Sequence, residues 1–201
     1  MSSSDYPDPP WHLVGQMWGT LFAHRVGSGR PRGLYAAAFV SYEPGSPLTY
    51  AELLVARCVG ATRVEITDIW VDSPASRAGG RELWAIPKEL AGLHRATTRT
   101  GALTRTAWTA DVPAGSPEGP SVAARFTARS RVGVRVPLRG GTRQPALAPG
   151  GPVRSAPITG SAVIGACRGQ WDLDPTGPID WLHGARQLGS FRLRDFRLSF
   201  G

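Results

Sequence analysis

Cysteine, lysine and long apolar runs are nearly absent from this 201-residue chain. Its two cysteines, Cys58 and Cys167, form no CxxC spacing, and we expect reduced, part-buried thiols rather than a disulfide. The four histidines show no metal-ligand spacing, so we expect no metal and no other cofactor. No stretch approaches the roughly 18 apolar residues of a membrane span, and the N-terminus lacks a secretory signal's apolar run. These absences predict a cytoplasmic protein that does not bind membranes.

Composition favours one globular domain with many turns. Hydrophobic residues make up 41% of the chain and charged residues 19%, which is ordinary for a folded domain. The 25 glycines and 18 prolines exclude a helical bundle. A chain of this length can bury a substantial core, and we predict a single domain over residues 1–201.

The net charge of +8 makes nucleic-acid binding one interpretation of the chain. The arginines are scattered, however, and many of them alternate with apolar residues along predicted strands. No RRM, KH or helix-turn-helix pattern accompanies them. We therefore interpret the charge as the solvated outer face of a sheet and expect no nucleic-acid partner.

Only one of the 23 basic residues, Lys88, is a lysine. Arginine stays charged at any working pH, so it cannot replace a lysine whose amine must lose a proton. Lys88 is therefore a candidate for amine chemistry, although a single lysine can also persist by chance on a surface. The neighbouring Trp84, Ile86 and Leu90 favour the first interpretation, because they make its surroundings apolar. Pro87 stiffens the turn that carries Lys88.

Strands dominate the predicted secondary structure. Runs of β-branched and alternating residues predict strands over 34–43, 50–59 and 64–72, and further strands from residue 93 onward. A change of apolar parity between Leu193 and Phe196 predicts a β-bulge near Asp195. The Gly- and Pro-rich segment 139–151 is predicted as a mobile loop. We predict a mainly β (α+β) protein in which a large antiparallel sheet closes into a barrel with one or two short helices.

The one clear helix is predicted over residues 74–83. Ser73 is a suitable N-cap and Pro74 is favoured at the first helical position. Gly79 and Gly80 cost a helix about 1 kcal/mol each relative to alanine. Their presence suggests that the helix packs closely against another backbone.

The run from Val71 to Ala91, VDSPASRAGGRELWAIPKELA, resembles the signature of the acetoacetate decarboxylase superfamily. In that family a small-residue helix leads through G-R-E-L into a P-K turn with an imine-forming lysine. Residues 42–54 (YEPGSPLTYAELL) and 9–13 (PPWHL) are similar to compact bacterial members. The resemblance is strong over the first half of the chain and rests on strand pattern in the second. It implies a closed, cone-like β-barrel with the lysine inside, assembled as a homo-oligomer.

Carried over by position, the resemblance gives roles to several residues. It makes Lys88 the Schiff-base nucleophile and Glu52 the pocket glutamate, a candidate general acid/base. Without the resemblance, Glu52 is equally well explained as an ion-paired glutamate in a strand. Arg81 belongs with Glu82 to the G-R-E-L pair, which we interpret as structural support. The candidate substrate-binding residues are Arg81, Gln16, Trp84 and Tyr50.

Three departures from the family pattern weaken the case for decarboxylation. Glu89 follows Lys88 where decarboxylating members commonly have a second lysine. Gln16 takes the approximate place of an arginine in the N-terminal strand. A second pocket glutamate falls in the apolar run 36–38, AAA. Groups that would bind a carboxylate and adjust the charge of the site are therefore missing.

An amine attacks a carbonyl only in its unprotonated form, and the ordinary pKa of lysine is about 10.4. An apolar pocket or a neighbouring cation activates the lysine of acetoacetate decarboxylase, so we expect burial to lower the pKa of Lys88. An adjacent carboxylate acts in the opposite direction. In an extended chain, however, Glu89 points to the face opposite Lys88.

The function predicted from the sequence is that of a Schiff-base carbon–carbon lyase acting on a small oxo acid. Decarboxylation and aldol condensation with dehydration use the same imine, so both reactions remain open. One alternative is a cyclase or tailoring enzyme of secondary metabolism that uses the barrel as a shaped cavity. Another is a non-catalytic barrel that binds a hydrophobic small molecule.

Overall fold

The computed structural model describes residues 5–25, 29–113, 121–129 and 132–201. Within these residues lie one α-helix, one short 3-10 helix (Asp180–Gly184) and eleven strands. The helix α1 spans Pro74–Trp84. The strands are β1 (Trp11–His24), β2 (Gly33–Tyr42), β3 (Tyr50–Cys58), β4 (Arg63–Val71), β5 (Lys88–Leu90), β6 (Gly92–Thr100), β7 (Leu103–Asp111), β8 (Val122–Arg129), β9 (Val134–Gln144), β10 (Arg154–Leu173) and β11 (Arg186–Phe200). No helix in this described part of the chain is both long and apolar enough to cross a membrane.

Seven strands form a closed ring of hydrogen-bonded neighbours, in the order β11–β1–β2–β3–β4–β9–β10. The ring closes because β10 pairs a second time, with β11. Two pairings depart from the predicted antiparallel arrangement, since β4 runs parallel to both β9 and β5. Parallel neighbours require a crossover connection, and α1 provides it between β4 and β5.

A second layer covers one side of the ring. The 20-residue strand β10 pairs with β9 and β11 along its first part and with β8 at 168–173. Strands β7 and β6 extend this layer beyond β8. The long strand therefore joins the barrel to the outer sheet.

Side-chain alternation divides β2 and β3 between two cores. Odd-numbered residues such as Phe39 and Leu53 point outward and pack with Trp108 and Phe126 of the second layer. We call this cluster the outer aromatic core. Even-numbered residues, among them Ala38, point into the barrel. Successive residues of a strand face opposite sides, so one sequence serves both cores.

The predicted helix start is confirmed, since the Ser73 side chain accepts a hydrogen bond from the Ser76 backbone N–H. The close packing of the two helical glycines is also confirmed, but their neighbours are side chains rather than a backbone. A Cβ on Gly79 would lie 2.8 Å from Cζ2 of Trp11. A Cβ on Gly80 would lie 2.7 Å from Cδ of Lys88. Gly80 therefore leaves room for the lysine side chain, and Gly79 leaves room for the aromatic rings of Trp11 and Tyr6.

The predicted β-bulge is confirmed at Asp195, which has a left-handed φ of 46° and interrupts the register of β11. The prediction of a loop over 139–151 is wrong in its first half, because residues 139–144 form the end of β9 and pair with β10. Its glycines serve close approach rather than turning. A Cβ on Gly140 would meet the Thr62 carbonyl oxygen at 2.7 Å, and one on Gly141 would meet that of Ala156 at 2.6 Å.

The two cysteines are free thiols. Cys167 is partly buried, and burial raises its pKa to about 11, which makes it a poor nucleophile at neutral pH. Cys58 is exposed at the end of β3, so the expectation of a part-buried thiol is wrong there.

Candidate active site

The barrel encloses a cavity of about 230 Å³. Its wall consists mostly of aromatic and aliphatic side chains from β1 to β4, β9 to β11 and the segment between α1 and β5. The polar residues among the described wall residues are Tyr42, Tyr50, Glu52, Lys88 and Thr142. An apolar cavity with a few convergent polar groups is the usual form of a small-molecule site.

Lys88 reaches this cavity from the start of β5 and is 4% exposed. Its ammonium donates three hydrogen bonds, to Oγ of Ser76 at 2.9 Å, to Oε2 of Glu52 at 3.0 Å and to the Tyr50 hydroxyl at 3.2 Å. An ammonium has three N–H donors, so every donor has an acceptor. The charged form of Lys88 is therefore fully satisfied inside the barrel.

Two tyrosines complete the group around the ion pair. The Tyr42 hydroxyl donates to Oε1 of Glu52 at 3.1 Å, and its ring stacks on Tyr50 with centroids 4.4 Å apart. Burial, reinforced by the Glu52 carboxylate, raises the pKa of Tyr42 well above its ordinary value. Burial also raises the pKa of Tyr50, although the Lys88 ammonium opposes it. Both phenols therefore stay neutral at physiological pH.

The pKa of Lys88 is raised, which makes the expected lowering wrong. Burial is the largest single influence and lowers the pKa, but Glu52 and Tyr50 act in the opposite direction and outweigh it. We attribute the outcome mainly to Glu52, because the carboxylate is charged and the phenol is not. The resting site is therefore an ammonium–carboxylate pair. A free amine must arise by proton transfer within that pair.

Strand register brings the site together. Tyr42 pairs with Tyr50 across the β2–β3 ladder, and Glu52 follows two residues later on the same face. Helix α1 places Ser76 above them, and the chain then returns so that Lys88 pairs with Ile69 of β4. The lysine and its acceptors thus come from three separate elements.

Four of the six predicted site residues line the cavity, namely Lys88, Glu52, Trp84 and Tyr50. Gln16 does not, because it lies on the outer face of β1, where it donates to Glu43 and accepts from Arg192. The neighbouring Met17 faces the cavity instead.

Arg81 also lies outside the wall. Its guanidinium donates to the Lys88 carbonyl oxygen at 3.0 Å and to the Glu89 carboxylate at 2.6 Å. These contacts hold the backbone of β5 and do not point to substrate binding. Arg77 also pairs with Glu89, so the adjacent carboxylate is turned away from the ammonium, as expected.

Sequence reasoning missed Ser76, Tyr42 and Thr142. Ser76 is fully buried in the first turn of α1, where a serine commonly caps or faces solvent, and only its contact with Lys88 distinguishes it. Tyr42 stood in the matched segment without an assigned role. In the part of the chain that the structure describes, no group of three His, Cys, Asp or Glu residues could hold a metal ion.

Comparison with solved structures gives consistent matches over the whole chain. An enduracididine biosynthesis enzyme, MppR, complexed with pyruvate is 16% identical, with 96% of this chain and 89% of that chain covered and a TM-score of 0.57. The acetoacetate decarboxylase of Legionella pneumophila is 14% identical, with 100% and 87% covered and a TM-score of 0.60. An acetoacetate decarboxylase-like enzyme from Sphingomonas wittichii is 16% identical, with 99% and 92% covered and a TM-score of 0.59. No protein-family model and no curated protein matches the sequence. The chain has the acetoacetate decarboxylase-like fold, as the sequence motifs implied.

Proposed function

We propose that the protein is an enzyme that forms a Schiff base between Lys88 and a carbonyl substrate held in the barrel cavity. The observation that carries this proposal is a buried lysine bonded to a buried glutamate at the wall of an apolar cavity. The solved structures of the same fold support it, since one is an acetoacetate decarboxylase and another contains pyruvate, a small carbonyl compound.

The first step produces the nucleophile. The Lys88 ammonium passes a proton along its 3.0 Å hydrogen bond to Glu52, which leaves a neutral amine and a carboxylic acid. The amine nitrogen attacks the carbonyl carbon, and its proton moves to the carbonyl oxygen to give a carbinolamine. Glu52 returns its proton to that hydroxyl, water leaves, and a protonated imine remains beside a carboxylate. Charge is conserved, because one cation and one anion face each other before and after the step.

The protonated imine then withdraws electrons from the substrate. A β-keto acid can lose carbon dioxide, which is the lyase reaction implied by the resemblance to acetoacetate decarboxylase. Alternatively, Glu52 removes a proton from the α-carbon, and the enamine attacks an aldehyde before water is eliminated. A small oxo acid and a neutral ketone both supply the carbonyl that this chemistry needs. The Tyr42 hydroxyl holds the carboxylate in place throughout.

Two alternative functions are each compatible with one particular observation. The mainly apolar wall would also suit a cyclase or tailoring enzyme in which Lys88 serves only as a hydrogen-bond donor. The complete pairing of the ammonium would suit a non-catalytic carrier of a hydrophobic molecule. Neither function requires a covalent bond to the lysine.

Borohydride trapping tests the proposal. The protein is incubated with acetoacetate, pyruvate or a neutral ketone and reduced, and its intact mass is measured. We expect a mass increase equal to one reduced imine, located by peptide mapping at Lys88. The test is unusually clean because the chain has one lysine, so the α-amino group is the only other amine to check. If no carbonyl compound leaves an adduct, the cyclase or carrier function is favoured instead.

Gly80→Ala is expected to reduce the adduct yield at least tenfold without unfolding the protein. The new methyl group would lie 2.7 Å from Cδ and 2.9 Å from Cε of Lys88, so the lysine side chain must shift, and we expect this to disturb the alignment of the amine with its three acceptors. Helix propensity alone would favour alanine by about 1 kcal/mol. Adduct mass and thermal unfolding are measured on the same samples.

Gly184→Ala is the matched control, because a Cβ there meets nothing within 4 Å. An adduct yield in Gly80→Ala equal to that in the control would mean that Lys88 tolerates displacement. The hydrogen bonds to its three acceptors would then not be needed for imine formation.

A further inference from the structure

The cavity wall, as far as the structure describes it, has no cation that is free to pair with a substrate anion. Among its described residues, Lys88 is the only cation and Glu52 the only anion, and the two are bonded at 3.0 Å. Of the 22 arginines that accompany Lys88 in the chain, none lines the described part of this wall. The guanidinium of Arg81 lies nearby, but it donates its hydrogen bonds to the Lys88 carbonyl oxygen and to the Glu89 carboxylate.

A substrate carboxylate would therefore enter a neutral, apolar site as an uncompensated charge. A buried charge without a partner is strongly disfavoured. The imbalance persists through the proposed reaction, because the iminium is matched by Glu52 and the substrate carboxylate remains unmatched. A neutral ketone or aldehyde keeps the site at zero net charge in every stage.

A second observation concerns the other end of the cavity. Thr142 of β9 lines the wall, is 2% exposed, and its hydroxyl has no hydrogen-bond partner among the described residues. Rotation about its Cα–Cβ bond exchanges the hydroxyl and the methyl group between staggered positions, so the hydroxyl can turn toward a ligand. A buried polar group without a partner is costly, and a ligand oxygen would relieve that cost.

The two polar points lie far apart. Thr142 pairs with Val64 of β4, whereas Lys88 pairs with Ile69 of the same strand. Five residues of strand separate these positions, which corresponds to roughly 16 Å of backbone. Between them the wall contains aliphatic and aromatic side chains such as Ile66. A ligand that uses both points is elongated and apolar in its middle.

We propose that the site accepts a neutral, elongated ketone or aldehyde whose far end carries a hydroxyl or keto oxygen that binds Thr142, and that it disfavours oxo acids. The inference rests on the proposed imine chemistry at Lys88 for the reacting end of the molecule. It favours addition of the enamine carbon to the carbonyl of an aldehyde, followed by loss of the resulting hydroxyl as water, because a neutral ketone has no carboxylate to lose.

Three nine-carbon methyl ketones test the substrate class: 2-nonanone, 9-hydroxynonan-2-one and 8-oxononanoic acid. They share the reacting carbonyl and differ only at the far end. Binding is followed by calorimetry and by the change in tryptophan fluorescence, to which Trp11 and Trp84 contribute because they line the cavity. We expect the hydroxyketone to bind about threefold to tenfold more tightly than 2-nonanone, and the acid at least tenfold more weakly than either. Equal or tighter binding of the acid overturns the proposal.

Thr142→Val keeps the shape of the side chain and removes the hydroxyl. It is expected to abolish the preference for the hydroxyketone over 2-nonanone, because the far end of 2-nonanone has no oxygen to bind the hydroxyl. Thr106→Val is the matched control, because Thr106 is equally buried at 2% exposure but lies on β7 outside the cavity wall. A preference that survives in Thr142→Val overturns the role of this residue.

Borohydride reduction of the same samples separates the two proposals. If the three affinities follow the expected order and no probe leaves an adduct, the substrate class stands and imine formation fails. If the acid is trapped as readily as the hydroxyketone, imine formation stands and the substrate class fails.

Discussion

Lys88→Met is expected to abolish the reduced adduct and to lower the free energy of unfolding by about 3–5 kcal/mol at pH 8. Methionine fills nearly the same volume but carries no charge. Glu52, which is 3% exposed, would then retain only its hydrogen bond from Tyr42 and remain buried without a cation. Adduct formation is measured by intact mass and stability by denaturant unfolding. One substitution is expected to remove both the adduct and part of the stability, because the Lys88 amine serves as the nucleophile and as the cation that pairs with Glu52.

The double variant Lys88→Met/Glu52→Gln separates stability from chemistry. The amide is neutral and still accepts the hydrogen bond from Tyr42, so most of the lost stability should return. The adduct should remain undetectable, since no lysine is left. If the double variant is as unstable as Lys88→Met, the loss is one of packing and the buried carboxylate is not its cause.

The stability contributed by the ion pair has a definite pH range. The pKa of Lys88 is raised in the folded protein above the ordinary value for lysine. The stabilisation is therefore fully present below that ordinary value and is lost only as the pH rises through the folded-state pKa. The stability difference between the wild type and the double variant should accordingly change little from pH 7 to 9 and diminish above about pH 10.5.

Glu52→Gln is expected to shift the pH profile of adduct formation to lower pH. Burial lowers the pKa of Lys88, and the substitution removes the carboxylate that opposes this effect most strongly, so a larger fraction of the amine is neutral at a given pH. The adduct yield after long incubation should therefore rise at neutral pH, even though the imine forms more slowly without Glu52 to protonate the leaving hydroxyl. Exchange of the substrate α-protons with deuterium should slow by about 10²-fold or more, because the base is gone. Mass spectrometry and proton NMR measure the two effects on the same mixture.

Glu65→Gln is the matched control, because Glu65 lies on β4 outside the main cavity and pairs with Arg57. It should leave both the trapping profile and the deuterium exchange unchanged. A profile in Glu52→Gln that coincides with the wild type would mean that the carboxylate does not set the protonation of Lys88. Unchanged deuterium exchange would assign the base to another group.

The sequence predicted local features well where one residue type has one physical reason to be present. Ser73 with Pro74 identified the helix start, and the parity change before Phe196 identified the bulge. The isolation of Lys88 among arginines, together with the motif around it, identified the residue that lies at the cavity. Each of these inferences depended on neighbours along the chain.

Features that depend on distant parts of the chain were not accessible in the same way. The sequence around Gly140 and Gly141 predicts a loop, yet these glycines lie in a strand, where the carbonyl oxygens of Thr62 and Ala156 leave no room for a Cβ. Gln16 was placed one residue away from the position that faces the cavity, and in a strand that error exchanges the two faces. The raised pKa of Lys88 depends on a 3.0 Å contact with a residue 36 positions earlier, which no local pattern specifies.

Alternation along β2 and β3 gives this protein a simple route by which new specificities can evolve. Even-numbered positions line the cavity, while odd-numbered positions pack in the outer aromatic core. A substitution at Ala36 or Ala38 changes the volume of the cavity, whereas the packing of Tyr35, Ala37 and Phe39 in the outer aromatic core stays the same. Substitutions on the cavity face of a strand can thus change specificity while the residues on its other face keep the fold stable. Substrate recognition and folding stability therefore depend on different, alternating positions of the same two strands.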